Sequence, residues 1–151
     1  MRIAFSILIV AIASTPLRSP GATPEEVQQD TNHYNTVFNY NLMATADVIK
    51  KHGESFRVIA WLKECKLDAL ANAITPTNDE IRDVTIQYLQ KQPDGKVFLW
   101  DVLAGVMSSV DYYRFGFEET DAGLRSTIGE TFCTKATEEA NNLLRARQAV
   151  K

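Results

Sequence analysis

Apolar residues recur at steps of three and four along most of this chain, the spacing that gathers side chains on one face of a helix. The strongest pattern covers residues 55–74 and predicts a central helix around which the others pack. Its apolar positions are Phe56, Val58, Ile59, Trp61, Leu62, Cys65, Ala69 and Leu70. Lys63, Lys66 and Asp68 fall on its polar side, so one broad face is expected to be buried.

A long helix is predicted before the central one. Thr23, Pro24 and Glu26 form a strong start, because threonine caps a helix, proline tolerates the first position and glutamate reaches back to the cap. His52 and Gly53 predict its end, as a basic residue followed by a left-handed stop. Its predicted buried positions are Val27, Tyr34, Val37, Phe38, Leu42, Val48 and Ile49.

Three further helices are predicted in the second half. A capping box at 77–80 starts a helix over 78–92, and an apolar helix follows over 97–114. Residues 115–126 lose the periodicity and predict an irregular loop. A capping box at 127–130 then starts the final helix. The residues expected to share its buried face are Ile128, Phe132, Ala136, Ala140 and Leu143.

Gly105 stands within the predicted fourth helix, whose apolar positions are Val97, Leu99, Trp100, Leu103, Val106, Met107 and Val110. Glycine costs about 1 kcal/mol relative to alanine in a helix interior. It is tolerated most easily where another helix approaches closely, so such an approach is expected here.

The N-terminus has the character of a secretory signal. Arg2 precedes an apolar run over residues 3–12, which is too short to cross a bilayer. Cleavage is expected after Ala13 and could fall as late as residue 22. No later segment is long and apolar enough to span a membrane, so we expect a periplasmic or secreted protein with no membrane span in its mature form.

Cys65 and Cys133 are the two cysteines of the chain. In an exported protein they are expected to form a disulfide, since that compartment oxidises thiols. Closing a loop of this length contributes about 4 kcal/mol in the chain-entropy model. The alternative is a pair of buried free thiols.

Length, composition and charge complete the prediction of the fold. No alternating strand, internal repeat or low-complexity tract occurs, and the length suits one hydrophobic core. We therefore predict an all-α fold, a single-domain bundle of about five helices over residues 23–151 stapled by one disulfide. Removing residues 1–13 would leave 15 basic and 19 acidic residues, a net charge of −4, which disfavours nucleic acid as a partner.

No motif for catalysis, metal binding or cofactor binding is present. His33 and His52 lack a second ligand at helical spacing, so no metal site is expected. Glu118, Glu119 and Asp121 cluster in the predicted loop, where grouped carboxylates are most often solvated rather than catalytic. The sequence thus predicts no catalytic residues and no cofactor.

Aromatic residues gather around an arginine at the exit of the fourth helix, a composition typical of binding hot spots. The candidate protein-binding residues are Tyr112, Tyr113, Arg114, Phe115 and Phe117. The alternative is a hydrophobic plug that covers the end of the bundle. Both can hold if some rings point inwards and others outwards.

The middle of the chain also carries a family resemblance. Its residues, in order, are Cys65, Pro76, Val84, Tyr88, Leu89, Pro93, Leu103 and Val110. This order resembles that of small periplasmic immunity proteins that neutralise type VI secreted amidases. That family usually has its second cysteine where this chain has Tyr112 and Tyr113, and it lacks so long a first helix. The resemblance implies a helical, non-catalytic, often dimeric inhibitor that binds an enzyme in the periplasm.

These observations favour an exported helical protein-binding protein without catalytic activity. Its partner is expected to be a protein, and a homodimer is compatible with the sequence. A first alternative is a small hydrolase of cell-wall or carbohydrate substrates that acts through Glu118 and Glu119. A second is a periplasmic stress chaperone whose helices expose apolar faces when it loosens.

Overall fold

A computed structural model describes residues 21–128 and 131–149, with all their side chains except those of 115–128. These ranges hold five helices and no strand, which confirms the all-α prediction. The helices are α1 (Pro24–Glu64), α2 (Asp68–Ile74), α3 (Asn78–Leu89), α4 (Leu99–Ile128) and α5 (Thr131–Ala149). None of them is both long and apolar enough to cross a bilayer.

The chain divides into two compact units, Met1–His33 and Tyr34–Lys151. In the first unit, the predicted capping box at the start of α1 is confirmed. The Thr23 N–H donates to Oε2 of Glu26 at 2.8 Å, and the Glu26 N–H donates to Oγ1 of Thr23 at 3.3 Å. These two bonds satisfy backbone donors that the first turn of a helix leaves open.

Helix α1 runs through the predicted stop at His52 and Gly53, so that prediction is wrong. Gly53 has no left-handed backbone conformation. The helix continues because the residues after it, including Ser55 and Phe56, are buried in the core. A Cβ at Gly53 would lie 3.8 Å from the hydroxyl of Tyr113, so a side chain of α4 reaches the helix surface here.

The end of α1 lies instead at residues 64–67, inside the predicted central helix. Lys66 has a φ of 56°, in the left-handed region. Its N–H donates to the Lys63 carbonyl, and the Leu67 N–H donates to the Leu62 carbonyl, each at 2.9 Å. This is the Schellman motif, in which the left-handed position is usually glycine. The prediction of one helix over 55–74 is therefore wrong, because these bonds divide it between α1 and α2.

Helix α3 begins at the predicted capping box. The Thr77 N–H donates to Oε2 of Glu80 at 2.7 Å, and the Glu80 N–H donates to Oγ1 of Thr77 at 3.2 Å. The helix ends at Leu89, slightly before the predicted boundary, and a series of turns leads to α4. Gly95 lies directly against the backbone of Leu89 in these turns. A Cβ at Gly95 would overlap the Leu89 carbonyl, so the turn needs glycine at this position.

Helix α4 is longer than predicted. Its backbone remains helical over residues 115–126, so the predicted loop is wrong. This segment contains strong helix formers, among them Glu118, Glu119 and Ala122, which offset the two glycines. The predicted capping box at 127–130 is also wrong, because Thr127 and Ile128 belong to α4. Gly129 and Glu130 lie outside the described residues.

One hydrophobic cluster joins the helices of the second unit. Contacts connect α3 with α4, α2 with α5, and α4 with α5. Phe56 and Trp61 of α1 pack on Tyr113 and Phe132, with ring centroids 6.3 and 5.6 Å apart. The largest fully buried side chains include Phe56, Leu62, Ile74 and Phe132. The segment of α1 predicted to be central thus does lie in the core, as do Phe132, Ala136 and Ala140 of α5.

The Cys65–Cys133 disulfide is confirmed, with its Cα atoms 5.7 Å apart. Cys65 follows the last residue of α1, and Cys133 lies in the first turn of α5. The bond therefore attaches the end of the longest described helix to the start of the last one.

A close approach also occurs at Gly105, as expected from the sequence. A Cβ at this position of α4 would overlap the side-chain amide of Asn41 in α1. Oδ1 of Asn41 accepts hydrogen bonds from Ser109 at 3.4 Å and from Thr45 at 3.2 Å. The glycine thus leaves room for a polar contact between the two helices.

Candidate protein-binding surfaces

The predicted aromatic group at 112–117 divides between surface and core. Tyr112 is 83 % exposed. Tyr113 is half-buried and packs edge to face on Phe56. The guanidinium of Arg114 lies 5.9 Å from the centroid of the same Phe56 ring. Arg114 also forms an ion pair with Asp111 at 3.6 Å. The side chains of Phe115 and Phe117 lie outside the described residues. Within the described part, Tyr113 and Arg114 are brought together on Phe56, and Tyr112 is not.

Tyr113 has the position expected of a plug. Burial raises the pKa of its hydroxyl, and its ring closes against α1 at Phe56 and Gly53. Tyr112 has the position expected of a binding residue, since its ring is left in solvent on a helix that its neighbours anchor. The plug interpretation thus fits Tyr113, and the binding interpretation stays a prediction for the exposed Tyr112.

Sequence reasoning missed the exposure of Trp100, which is 77 % exposed, and of Val97 in the turn before α4. The buried row of α4 is Val102, Val106 and Val110, at steps of four. Trp100 stands two residues before Val102, a rotation of about 200° around the helix. The valine row could have located the buried side and placed Trp100 opposite to it.

A third exposed apolar surface lies on α1. Tyr34, Phe38 and Leu42 were predicted to be buried, but each exposes about half of its side chain, so that prediction is wrong for them. The first fully buried core residues along the same helix are Ala44 and Val48, after these three positions. Tyr34 and Phe38 stack with ring centroids 6.5 Å apart. We call these three side chains the α1 ridge.

A buried polar cluster involves four helices of the second unit. His52 of α1 is buried, and its Nε2 has no hydrogen-bond partner. Burial lowers the pKa of His52, the negative charge of Glu80 opposes this shift, and the positive charges of Lys51 and Arg147 add to it. Arg147 of α5 lies 3.9 Å from Glu80 and donates to the Ala73 carbonyl of α2 at 3.4 Å.

Glu80 is ionised more readily than a free carboxyl group. Its burial works against ionisation, but hydrogen bonds from Thr77 and the charge of Arg147 lower its pKa. The cluster therefore holds α2, α3 and α5 near His52 through charge and hydrogen bonds. The interpretation of His52 as a helix cap is wrong, because it lies inside α1.

Two cationic side chains lie over the ring of Trp61. The guanidinium of Arg57 lies 4.7 Å from the ring centroid and the ammonium of Lys135 lies 5.9 Å from it. Arg57 also pairs with Glu54. The Nε1 of Trp61 has no acceptor and is inaccessible to solvent, so a ligand cannot reach it.

The carboxylates considered for catalysis lie on a helix and not in the expected loop. Glu118, Glu119 and Asp121 lie on the helical backbone of α4, and their side chains are outside the described residues. Among the side chains that the structure does describe, no three metal-binding groups come together. Among the described side chains, those that line a depression on α5 all belong to that helix.

Comparison with models of known families, with curated proteins and with solved structures found no match. The resemblance to periplasmic immunity proteins is neither supported nor opposed by this result and stays a prediction.

Proposed function

We propose that this chain is an exported helical protein that binds a protein partner, as an inhibitor or immunity protein does, and has no catalytic activity. The observation that carries the proposal is the exposure of Trp100 and Tyr112 on α4. Tryptophan and tyrosine are the residue types most enriched at binding hot spots.

The local packing supports this role for Tyr112. Its neighbours Tyr113 and Arg114 are held on Phe56, which limits the movement of the backbone that carries the exposed ring. A ring held in position before binding loses less conformational freedom on association. The negative net charge would also favour a partner with a basic surface, because opposite charges accelerate encounter.

Export is part of the proposal and has its own support. The Cys65–Cys133 disulfide suits an oxidising compartment, where such bonds persist. Mass spectrometry of the exported protein should find a new N-terminus at Ser14 or at a later residue up to Thr23. An intact Met1 on protein in the cytosolic fraction would contradict this.

The main experiment compares partner binding by single variants. The tagged wild type is used to capture proteins from the native exported fraction, the partner is identified by mass spectrometry, and its affinity is measured with purified proteins. Trp100→Ala or Tyr112→Ala should weaken binding by about 1 to 3 kcal/mol, with little change in melting temperature. Met43→Ala is the matched control, because Met43 is an exposed apolar residue of a different helix.

Other outcomes would favour the alternatives. Equal affinity of the wild type and both ring variants would contradict the proposal that these rings anchor a partner. Hydrolysis of peptidoglycan or a glycan that is lost in Glu118→Gln or Glu119→Gln would favour the hydrolase. Capture of many unfolded proteins, without preference for one, would favour the chaperone.

A further inference from the structure

The α1 ridge is a surface that the proposed function does not use. Tyr34, Phe38 and Leu42 stand one helical turn apart, so their side chains form a row along one side of α1. Each of the three exposes about half of its side chain, although all are large and apolar. Asn35 and Asn39 lie beside the row and are also exposed.

The charge along this stretch indicates what could cover it. Residues 34–46 contain no Asp, Glu, Lys or Arg, in a chain with a net charge of −3. Interface cores are depleted in charge and enriched in aromatic residues, which matches this segment with Tyr34 and Phe38 in the row. Two copies of a charge-free surface can meet without the like-charge repulsion that the acidic remainder of the chain would impose. Asparagine amides both donate and accept hydrogen bonds, so identical asparagines can pair with each other.

We propose that the α1 ridge binds a second copy of this chain. The row is symmetric in spacing about Phe38, with Tyr34 one turn before it and Leu42 one turn after it. In an antiparallel pair related by a two-fold axis, Phe38 lies at the axis and Tyr34 faces Leu42 of the second copy. Such an interface is isologous, since the same patch serves both chains.

The size of the ridge sets the strength of association. The nine helical residues from Tyr34 to Leu42 extend about 14 Å, at 1.5 Å per residue. Two such helices bury less surface than the roughly 1,200 to 2,000 Å² of a standard stable interface. The dimer should therefore dissociate on dilution, and its population should rise with protein concentration.

Analytical ultracentrifugation of the disulfide-intact protein over a concentration series tests the proposal. The wild type should shift from monomer to dimer as concentration rises. Phe38→Lys should raise the dimer dissociation constant by at least about tenfold, because it places two like charges at the axis. Met43→Lys is the matched control and should behave as the wild type, since Met43 is similarly exposed but lies about 140° around α1 from Phe38.

Cross-linking gives a second measurement. Both native cysteines are used in the disulfide, so an introduced cysteine is the single free thiol. Phe38→Cys should form a linked dimer under mild oxidation, and Met43→Cys should form much less. A wild type that stays monomeric throughout the series, or equal effects at positions 38 and 43, would overturn the proposal. This result is separate from the test of α4, because neither variant changes Trp100 or Tyr112.

Discussion

Gly105 of α4 lies against the side chain of Asn41 of α1, with no room between them for a Cβ atom. Gly105→Ala should therefore destabilise the protein by about 1 to 2 kcal/mol, although alanine is the better helix former by about 1 kcal/mol. The methyl group would displace the Asn41 amide from its hydrogen bonds with Thr45 and Ser109. Urea denaturation measures the change.

The same pair provides a control through a double-mutant cycle. In the Asn41→Ala background the amide is gone, so Gly105→Ala should become stabilising by about 1 kcal/mol through helix propensity alone. A reversal of sign would show that the contact explains the glycine. An identical effect of Gly105→Ala in both backgrounds would contradict the close approach.

Lys66 occupies the left-handed position of the Schellman motif at the end of α1. Lys66→Gly should stabilise the protein by about 0.5 to 1 kcal/mol. The left-handed conformation costs a non-glycine residue about 1 to 2 kcal/mol, which glycine avoids. Part of that gain is lost because glycine has more conformational freedom in the unfolded chain. Lys63→Gly, inside the helix, should instead destabilise by about 1 kcal/mol. Thermal unfolding of both variants gives the comparison, and a loss of stability in Lys66→Gly would be the opposite of the expected result.

Burial of His52 should make stability depend on pH. The pKa of His52 in the fold is below the ordinary value of 6.5. Just below pH 6.5, the unfolded chain therefore binds a proton at this residue that the folded chain does not bind. Stability should be fully present above pH 6.5 and should fall as the pH decreases toward the folded-state pKa. The groups that act on His52 are Glu80 of α3, Arg147 of α5 and Lys51 of α1 itself.

Urea denaturation at a series of pH values measures this effect. The series should stop above pH 4.5, the ordinary pKa of Glu80, because at lower pH the protonation of that carboxyl group also changes the stability. His52→Gln should flatten the profile below pH 6.5. In His33→Gln, which removes the exposed histidine, the acid-dependent loss should persist. A wild-type profile that is flat over this range would contradict the role of His52.

Removing the disulfide with Cys65→Ala and Cys133→Ala together should lower the free energy of unfolding by about 4 kcal/mol. The bond closes a loop with a sequence separation of 68, and releasing it returns that freedom to the unfolded chain. The wild type treated with reductant should match the double variant. If the oxidised wild type and the double variant unfold at the same urea concentration, the bond does not stabilise the fold.

The presence of helices could be predicted from the sequence more reliably than their ends. Capping boxes at Thr23 and Thr77 use side-chain chemistry that is local in sequence, and both were correct. Gly53 resembles a helix stop in sequence, but its backbone does not turn left-handed, and packing keeps it helical here. The end of α1 at Lys66 could not be predicted from that residue, because lysine is an ordinary helix former.

Burial was predicted only in part for a related reason. Periodicity shows which residues share a side of a helix, but it does not show how far along the helix a neighbour extends. Val48 and Phe38 both follow the apolar pattern of α1, yet only Val48 has core neighbours. The cysteine pairing could be predicted from the sequence, because two cysteines allow a single intramolecular bond.

The contacts of α1 also constrain when this protein can fold during synthesis. Its aromatic side chains at 40, 56 and 61 pack on rings at 88, 98, 113 and 132, all of which leave the ribosome much later. Its many asparagines favour a helix only weakly, so α1 has little means of staying ordered alone. Long-range contacts of this kind form slowly, since distant chain segments must first meet. Of the described helices, the first to be synthesised is thus among the last to acquire its tertiary contacts, since Trp61 must wait for Phe132 to be made.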